Sequence, residues 1–345
     1  MKRNDHLNLT PEALGDDEHT LRIKNMPTVR RGKPATRRKP KSRAEAAPPS
    51  SVEQTDESFH FSYDASRHER GWIIDALSDF YDQQWFDDVL RVIKGGKEAT
   101  VYQCLGNQTS GEPFIAAKVY RPRQFRNLRK DHIYREGRVY LDEHGREITN
   151  AGMLYAVRKR TTYGEELIHT SWIEHEVRAL QVLHEAGADV PRPLASDNNA
   201  ILMSYIGGEE TPAPSLNGVR LERDEAHDLF QRVLHNIQIM LDHQVVHGDL
   251  SAYNILYWEG QITLIDFPQA IRPGQNPSDY RIFERDVVRV CEYFARMGVE
   301  SQPRELAARM WMDHQYRLTP QMDPRLLADD IDADEPDWED EQDED

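Results

Sequence analysis

One stretch constrains this chain more than any other: residues 247 to 269, reading HGDLSAYNILYWEGQITLIDFPQ. Asp249 and Asn254 stand five apart, and Asp266 follows twelve later. Between the last two lie two short apolar runs, Ile255 to Trp258 and Gln261 to Ile265, joined by Glu259-Gly260. Two such residues between strand-like runs signal a β-hairpin, with glycine supplying the positive φ that the turn needs. A tight hairpin returns the chain to where it left, so Asp266 is expected beside Asn254. One amide and one carboxylate then share a focus, and a second carboxylate, Asp249, lies just upstream. Each residue alone is as well explained by turn formation. The joint spacing, with an apolar strand on each side, is not.

This is the ligand set that phosphoryl transfer requires. Asn254 and Asp266 could hold Mg²⁺, or Mn²⁺ in its place, on nucleotide phosphates through hard oxygen ligands. Asp249 could orient or deprotonate an attacking hydroxyl.

Composition bounds the setting. Two cysteines, Cys104 and Cys291, cannot build a disulfide framework or a four-ligand zinc site, so a reducing compartment is the default. No apolar run approaches the roughly 18 residues that span a bilayer, and no apolar signal-peptide core opens the sequence. A cytoplasmic protein without a membrane partner is expected. The net charge of −17 argues against wholesale nucleic-acid binding, but the charge is unevenly placed. Residues 22 to 43 carry ten Lys or Arg and no acid, while residues 323 to 345 carry thirteen acids against one Arg. The expected organisation is a disordered basic arm over 1–57, an ordered region over 58–322 and a disordered acidic tail over 323–345. The arm could touch RNA or a ribosomal particle; it could equally be a solvated tail that pairs loosely with the acidic one.

Within the ordered region, Trp72, Ile73, Leu77, Phe80, Tyr81 and Trp85 recur at helical spacing from about Arg67 onward. Val89 to Ile93 reads as a strand, and Val101 to Leu105 as the next. Between them GGKEATVY places Gly95, Gly96, Lys97, Ala99 and Val101 in a small-residue loop whose backbone N–H groups could close over phosphates. It is not a Walker A loop, because Glu98 follows Gly96-Lys97. FIAAKVY, residues 114 to 120, is an apolar strand containing Lys118, which needs an anion if buried. Residues 121 to 168 read as a long charged insertion, partly helical and mobile. A helix is then expected to open at the capping-box pattern Ser171-x-x-Glu174 and to end at Gly187, with Glu176 facing Lys118. Ala200 to Ile206 forms a strand leading to a hinge at Gly207-Gly208, with Met203, Ser204 and Ile206 near an adenine. Further helices are expected over Glu222–His243, from about Glu284 to Met297, and from Pro303 toward Tyr316.

Taken in order, GGKEATVY, AAKVY, LMSYIGG, HGDLSAYNIL and LIDFPQA resemble the RIO family of atypical protein kinases over roughly residues 67 to 316. HGDLS resembles the first branch of that family and IDFPQ the second, while no winged-helix segment is read ahead of the kinase region. The resemblance implies an α+β, two-lobed protein-kinase-like fold. Its small antiparallel sheet lobe with a helix would cover about 67–203. Its mostly helical second lobe, about 207–316, would lack the activation segment and the peptide-binding subdomains. By the same resemblance Lys118 holds ATP phosphates and pairs with Glu176, Asp249 is the catalytic aspartate, Asn254 and Asp266 bind Mg²⁺, and residues 95 to 101 cover the triphosphate. The implied activity is an ATP-dependent serine/threonine protein kinase that autophosphorylates. Two other readings stay open. One is an ATPase switch in ribosome assembly, with Asp266 accepting phosphate. The other is an aminoglycoside-type small-molecule phosphotransferase, which shares HGDxxxxN. Ala252 departs from the acidic residue usual in the catalytic loop, and the stretch from Lys118 to Glu176 is long for the family.

Overall fold

A computed structural model describes residues 59–96, 98–121, 138–197, 199–314 and 316. The expected basic arm, Lys97 and the expected acidic tail lie outside the described residues, as does 122–137 of the charged insertion.

Five strands form one antiparallel sheet: β1 (Phe86–Gly95), β2 (Ala99–Gly106), β3 (Phe114–Tyr120), β4 (Pro193–Asp197) and β5 (Ala200–Ser204). The spatial order β1-β2-β3-β5-β4 puts β3 at the centre, and Lys118 is paired across it with Val101 of β2 and Ile201 of β5. Alternation of side chains along β3 then sorts its residues onto two faces. Ile115, Ala117 and Val119 join Ile73, Leu77 and Phe80 of helix α1 (Arg67–Asp82) in one core. Ala116 and Tyr120, and with them Lys118, face the other way, toward Trp172, Ile173 and Val177 of helix α3 (Thr162–Glu185). Helix α1 begins where Ser66 Oγ accepts from the Glu69 amide, 3.4 Å away. It ends before Gln84, whose φ of 60° breaks the helical run, so Trp85 lies past it.

The second half is built on helices α4 (Arg223–Asp242), α5 (Asp279–Ala295) and α6 (Pro303–Asp313) around a single apolar cluster. The hairpin β6 (Ile255–Trp258) and β7 (Gln261–Leu264) lies against it. This is the expected α+β, two-lobed kinase-like arrangement.

Several expectations need correction. Phe59 and Phe61, ahead of the expected lobe start at about 67, are already buried in the α1 core, Phe59 against Phe86 and Tyr81 and Phe61 against Phe59. The charged insertion is partly helical as expected, but it also forms a bridge between Leu141 and Glu147 ahead of helix α2 (Ala151–Lys159), which Asn150 caps. The capping box at Ser171 does not start a helix. Helix α3 opens nine residues earlier at Thr162, where Thr161 Oγ1 accepts from the Gly164 amide at 3.1 Å. Ser171 is buried in mid-helix, where its Oγ accepts from the Leu141 amide at 2.9 Å; a polar residue so placed imitates a cap in sequence. Glu174, read as the box's second member, faces the 142–145 turn. Strand β4 was not anticipated, and α5 begins at Asp279, five residues before the expected Glu284.

Candidate active site

The hairpin turn carries Glu259 and Gly260 at φ 48° and 78°, the two positive values that a twist-matched two-residue turn demands. Its register pairs Ile255 with Leu264 and Trp258 with Gln261. One further bond, from the Ile265 amide to the Asn254 carbonyl at 2.9 Å, sets Asp266 next to the 3₁₀ turn Ala252–Asn254. Upstream and downstream arms are tied as well: Val246 and Ile271 exchange both backbone hydrogen bonds, each 2.9 Å. Asp249 and Asp266 therefore sit on two segments clamped at both ends.

The clamp is tight enough to require glycine at one point. Gly248 has φ 86°, and a Cβ there would lie 2.4 Å from the Gln269 carbonyl oxygen. Its amide donates to buried Asp286 at 2.8 Å, and its carbonyl accepts from Arg285, both residues of α5. Asp266 itself is a non-glycine residue at φ 74°, a strained conformation of the kind that a functional site tolerates when its surroundings fix it. Phe267, wholly buried beside His247 with ring centroids 4.5 Å apart, anchors it from below. His247 Nδ1 accepts from the Asp249 amide at 3.3 Å, which leaves Nε2 to donate to the Ile265 carbonyl at 3.1 Å.

Above this floor hangs Lys118. Its Nζ is 2.6 Å from Glu176 Oε1 and 2.6 Å from Asp266 Oδ1. Tyr120, two residues along β3 and so on the same face, donates its hydroxyl to the other Glu176 oxygen. Burial alone would push the Lys118 ammonium down, but Asp266 and Glu176 together hold it above its usual range. Burial would likewise raise Asp266, and the Lys118 charge outweighs it, holding the carboxyl below the usual 3.8. Asp286, buried beyond Arg285's ability to compensate, is shifted up.

Asp249 is oriented from two sides. Arg289 of α5 donates to Oδ1 at 3.0 Å, and the Asn254 amide nitrogen donates to its carbonyl at 2.9 Å and to Oδ2 at 3.2 Å. The Asn254 side-chain oxygen accepts no hydrogen bond from the described residues.

These groups open onto a cleft of about 590 Å³. Of the residues singled out in the sequence, Gly96, Ala99, Val101, Lys118, Glu176, Met203, Ser204, Ile206, Asp249 and Asp266 line it. Gly95 ends β1 outside the lining, and Asn254 is buried behind Asp249. Gly96 turns the loop through its amide to the Ala99 carbonyl at 2.9 Å. Sequence reasoning missed Tyr120, Arg289, Asp286 and Arg285. The period of β3 held a signal for Tyr120. For the α5 residues nothing local did, because only the packing of α5 under the Gly248–Asn254 turn brings them there.

A two-lobed α+β protein with a buried lysine bridging a helix glutamate and a hairpin aspartate in the interlobe cleft belongs to the protein-kinase-like class. The RIO domain family model matches residues 100–306, and the chain belongs to that family. Among curated relatives, serine/threonine-protein kinase RIO3 of Bos taurus is 34% identical over 130 residues, 37% of this chain and 25% of its own length. RIO-type serine/threonine-protein kinase Rio1 of Thermoplasma acidophilum is 31% identical over 135 residues, 39% of this chain and 69% of its own. Rio1 of Haloferax volcanii is 28% identical over 215 residues, 61% of this chain and 64% of its own. The chain thus matches a quarter of the mammalian relative and about two thirds of the archaeal ones. Family membership implies ATP and a divalent metal in general terms. Among the described residues no helix is long and apolar enough to cross a membrane.

Proposed function

We propose that this chain is an ATP- and Mg²⁺-dependent serine/threonine protein kinase. The observation that carries the reading is Lys118, buried on the central strand and shared between Glu176 and Asp266 in a cleft that Asp249 also lines. A nucleotide fits the donors present. Val101, Ala116, Met203, Leu256 and Ile265 give the cleft an apolar wall for a base, and Lys118 gives its deep end a cation for phosphates. A divalent cation fits too. The Asp266 side chain is 44% exposed into the cleft and retains oxygen capacity beyond Lys118, and Asn254 keeps its side-chain oxygen unspent. Asn254 and Asp266 would hold the metal, which when bound supplies positive charge against the phosphate oxygens.

The chain's own residues divide the rest of the work. Lys118, held by Glu176, orients the phosphates. Asp249, fixed by Arg289 and Asn254, accepts the hydroxyl proton of the substrate as the new oxygen–phosphorus bond forms and the bond to the leaving diphosphate breaks. Mn²⁺ would satisfy the same oxygen ligands. A protein substrate suits the open cleft, and two free, buried cysteines suit a reducing cytoplasm.

A second reading, an ATPase switch on a ribosomal particle with Asp266 as phosphate acceptor, draws on one feature. Only twelve residues separate Asp266 from Asp279, where α5 begins, which leaves little chain for a peptide platform. The basic residues 22–43 would supply its RNA contact. Incubation with γ-labelled ATP, with Mg²⁺, Mn²⁺ or chelator, separates the readings. Metal-dependent label on serine or threonine supports the kinase. Metal-dependent phosphate release with label only on an aspartate supports the switch. ATP binding with neither outcome would sink both.

A further inference from the structure

A second cavity, of about 240 Å³, lies in the crease between α3 and the segment that follows β7. It is separate from the nucleotide cleft: the two share no lining residue. Arg138, Arg178 and Arg272 line it with His175 and His243, and among the described lining residues there is no Asp or Glu. Guanidinium groups gathered with no carboxylate among the described lining residues repel one another, and a fold gains by admitting a counter-anion there.

The three arginines are differently engaged. Arg138 is a tether whose guanidinium donates to the carbonyls of Pro268 and Ala270. Arg272 donates to the Gln244 side chain at 3.3 Å, a long bond that leaves most of its fork unspent. Arg178 is exposed on α3 and has no hydrogen-bond or ion-pair partner among the described residues. The field that they create is felt by His175, whose Nε2 lies 2.9 Å from the Val139 carbonyl. Burial first, then Arg138, Arg178 and Arg272, push its imidazole down to about 4. Among the described residues, Arg178 and Arg272 thus present guanidinium groups with no carboxylate partner beside a concave, partly apolar wall that includes Ala179 and Val182.

From this we infer that the crease between α3 and the post-hairpin segment is a binding site for a phosphate dianion, with Arg178 and Arg272 as its ligands. Guanidinium forks match phosphate oxygens in pairs, which a lone lysine cannot do. The concave shape favours a terminal phosphate, as on a phosphorylated serine or threonine, or a free phosphate ion. A nucleic-acid backbone has its phosphates flanked on both sides and suits a groove open along its length. The site is independent of the kinase reading, since neither arginine touches the nucleotide cleft.

The test uses the full chain and a short, otherwise uncharged fluorescent peptide bearing one phosphoserine, read by anisotropy. Its unphosphorylated twin, inorganic phosphate as competitor, ADP as competitor and a single-stranded oligonucleotide complete the set. Arg178→Gln and Arg272→Gln are each expected to weaken phosphopeptide binding about fivefold or more, and rising salt to weaken it further. ADP carries a terminal phosphate and should compete about as inorganic phosphate does, whether or not the nucleotide cleft binds it more tightly. Inorganic phosphate that binds with the same arginine dependence while the peptide does not would keep the site and assign it to the free ion. Three results would overturn the proposal: no binding of either phosphate, binding indifferent to both arginine changes, or displacement by ADP far below the concentration at which inorganic phosphate displaces it. An oligonucleotide bound through these arginines in preference to both phosphates would overturn it as well, in favour of RNA.

Discussion

Removing Glu176 should expose how far the buried lysine depends on it. Glu176 is 1% exposed and serves two donors, Lys118 and the Tyr120 hydroxyl. Breaking a buried ion pair outright costs about 3–5 kcal/mol, because one charge is left uncompensated. Here Lys118 keeps Asp266 at 2.6 Å, so the loss for Glu176→Gln should fall below that range, at about 2 kcal/mol. Glu176→Ala also orphans the Tyr120 hydroxyl and leaves a void, which adds roughly 1–3 kcal/mol. Lys118→Met should cost a similar amount to Glu176→Gln, by leaving a buried carboxylate with Tyr120 alone. In the double variant neither charge remains to be stranded. Its loss should fall short of the sum of the singles by about 1 kcal/mol or more. Urea unfolding followed by tryptophan fluorescence measures all four proteins. Additivity within about 0.3 kcal/mol would mean that the pair is not coupled, and the reasoning would fail.

Other expectations follow from single contacts. Gly248→Ala should cost about 2 kcal/mol or more, from positive φ plus the 2.4 Å approach to Gln269, whereas Gly260→Ala, at φ 78° with open space, should cost only about 1 kcal/mol by thermal melting. Arg289→Gln should lower turnover about tenfold and leave nucleotide affinity unchanged, since Arg289 touches Asp249 and not the cleft; equal losses in both would contradict this. Burial first and Asp142 second push the Glu174 carboxyl up to about 7 from 4.5. Between those values the folded state holds a proton that the unfolded state has released, so stability falls as pH rises through that window. Glu174→Gln should therefore raise the melting temperature at pH 8 relative to the parent and change it little at pH 4; the reverse pattern would refute the burial argument.

Local pattern carried the elements whose pattern is purely local. The hairpin from Ile255 was legible because its two-residue turn and apolar flanks specify one register, and Phe114–Tyr120 was legible as an apolar strand interrupted only by Lys118. Helix α4 followed from a clean 3.6 period. Helix α3 was legible only from its buried second half. Its first turns, from Thr162 to Thr170, mix charged and aromatic residues because they pack on α2, which the sequence indicated only as partial helix without bounds. Strand β4, PLASD, has no strand-like composition and exists because β5 offers it an edge. The candidate site divides in the same way. Spacing alone pointed to Asp249, Asn254 and Asp266. Lys118 and Glu176 needed only the cost of burying a charge. Arg289, Asp286 and Arg285 come from a helix roughly forty residues downstream, and their role depends on tertiary packing that no local pattern encodes.

The most direct test of the central claim compares Asp249→Asn with Asp266→Asn in one assay that reads ATP binding and phosphate transfer separately. Asp249→Asn should bind Mg²⁺-ATP nearly as the parent does and lose transfer by about a hundredfold or more, because in the proposed mechanism the group removed accepts the hydroxyl proton. Asp266→Asn should lose the metal-dependent part of binding together with transfer. An Asp249→Asn protein that transfers phosphate at the parent rate would contradict the account.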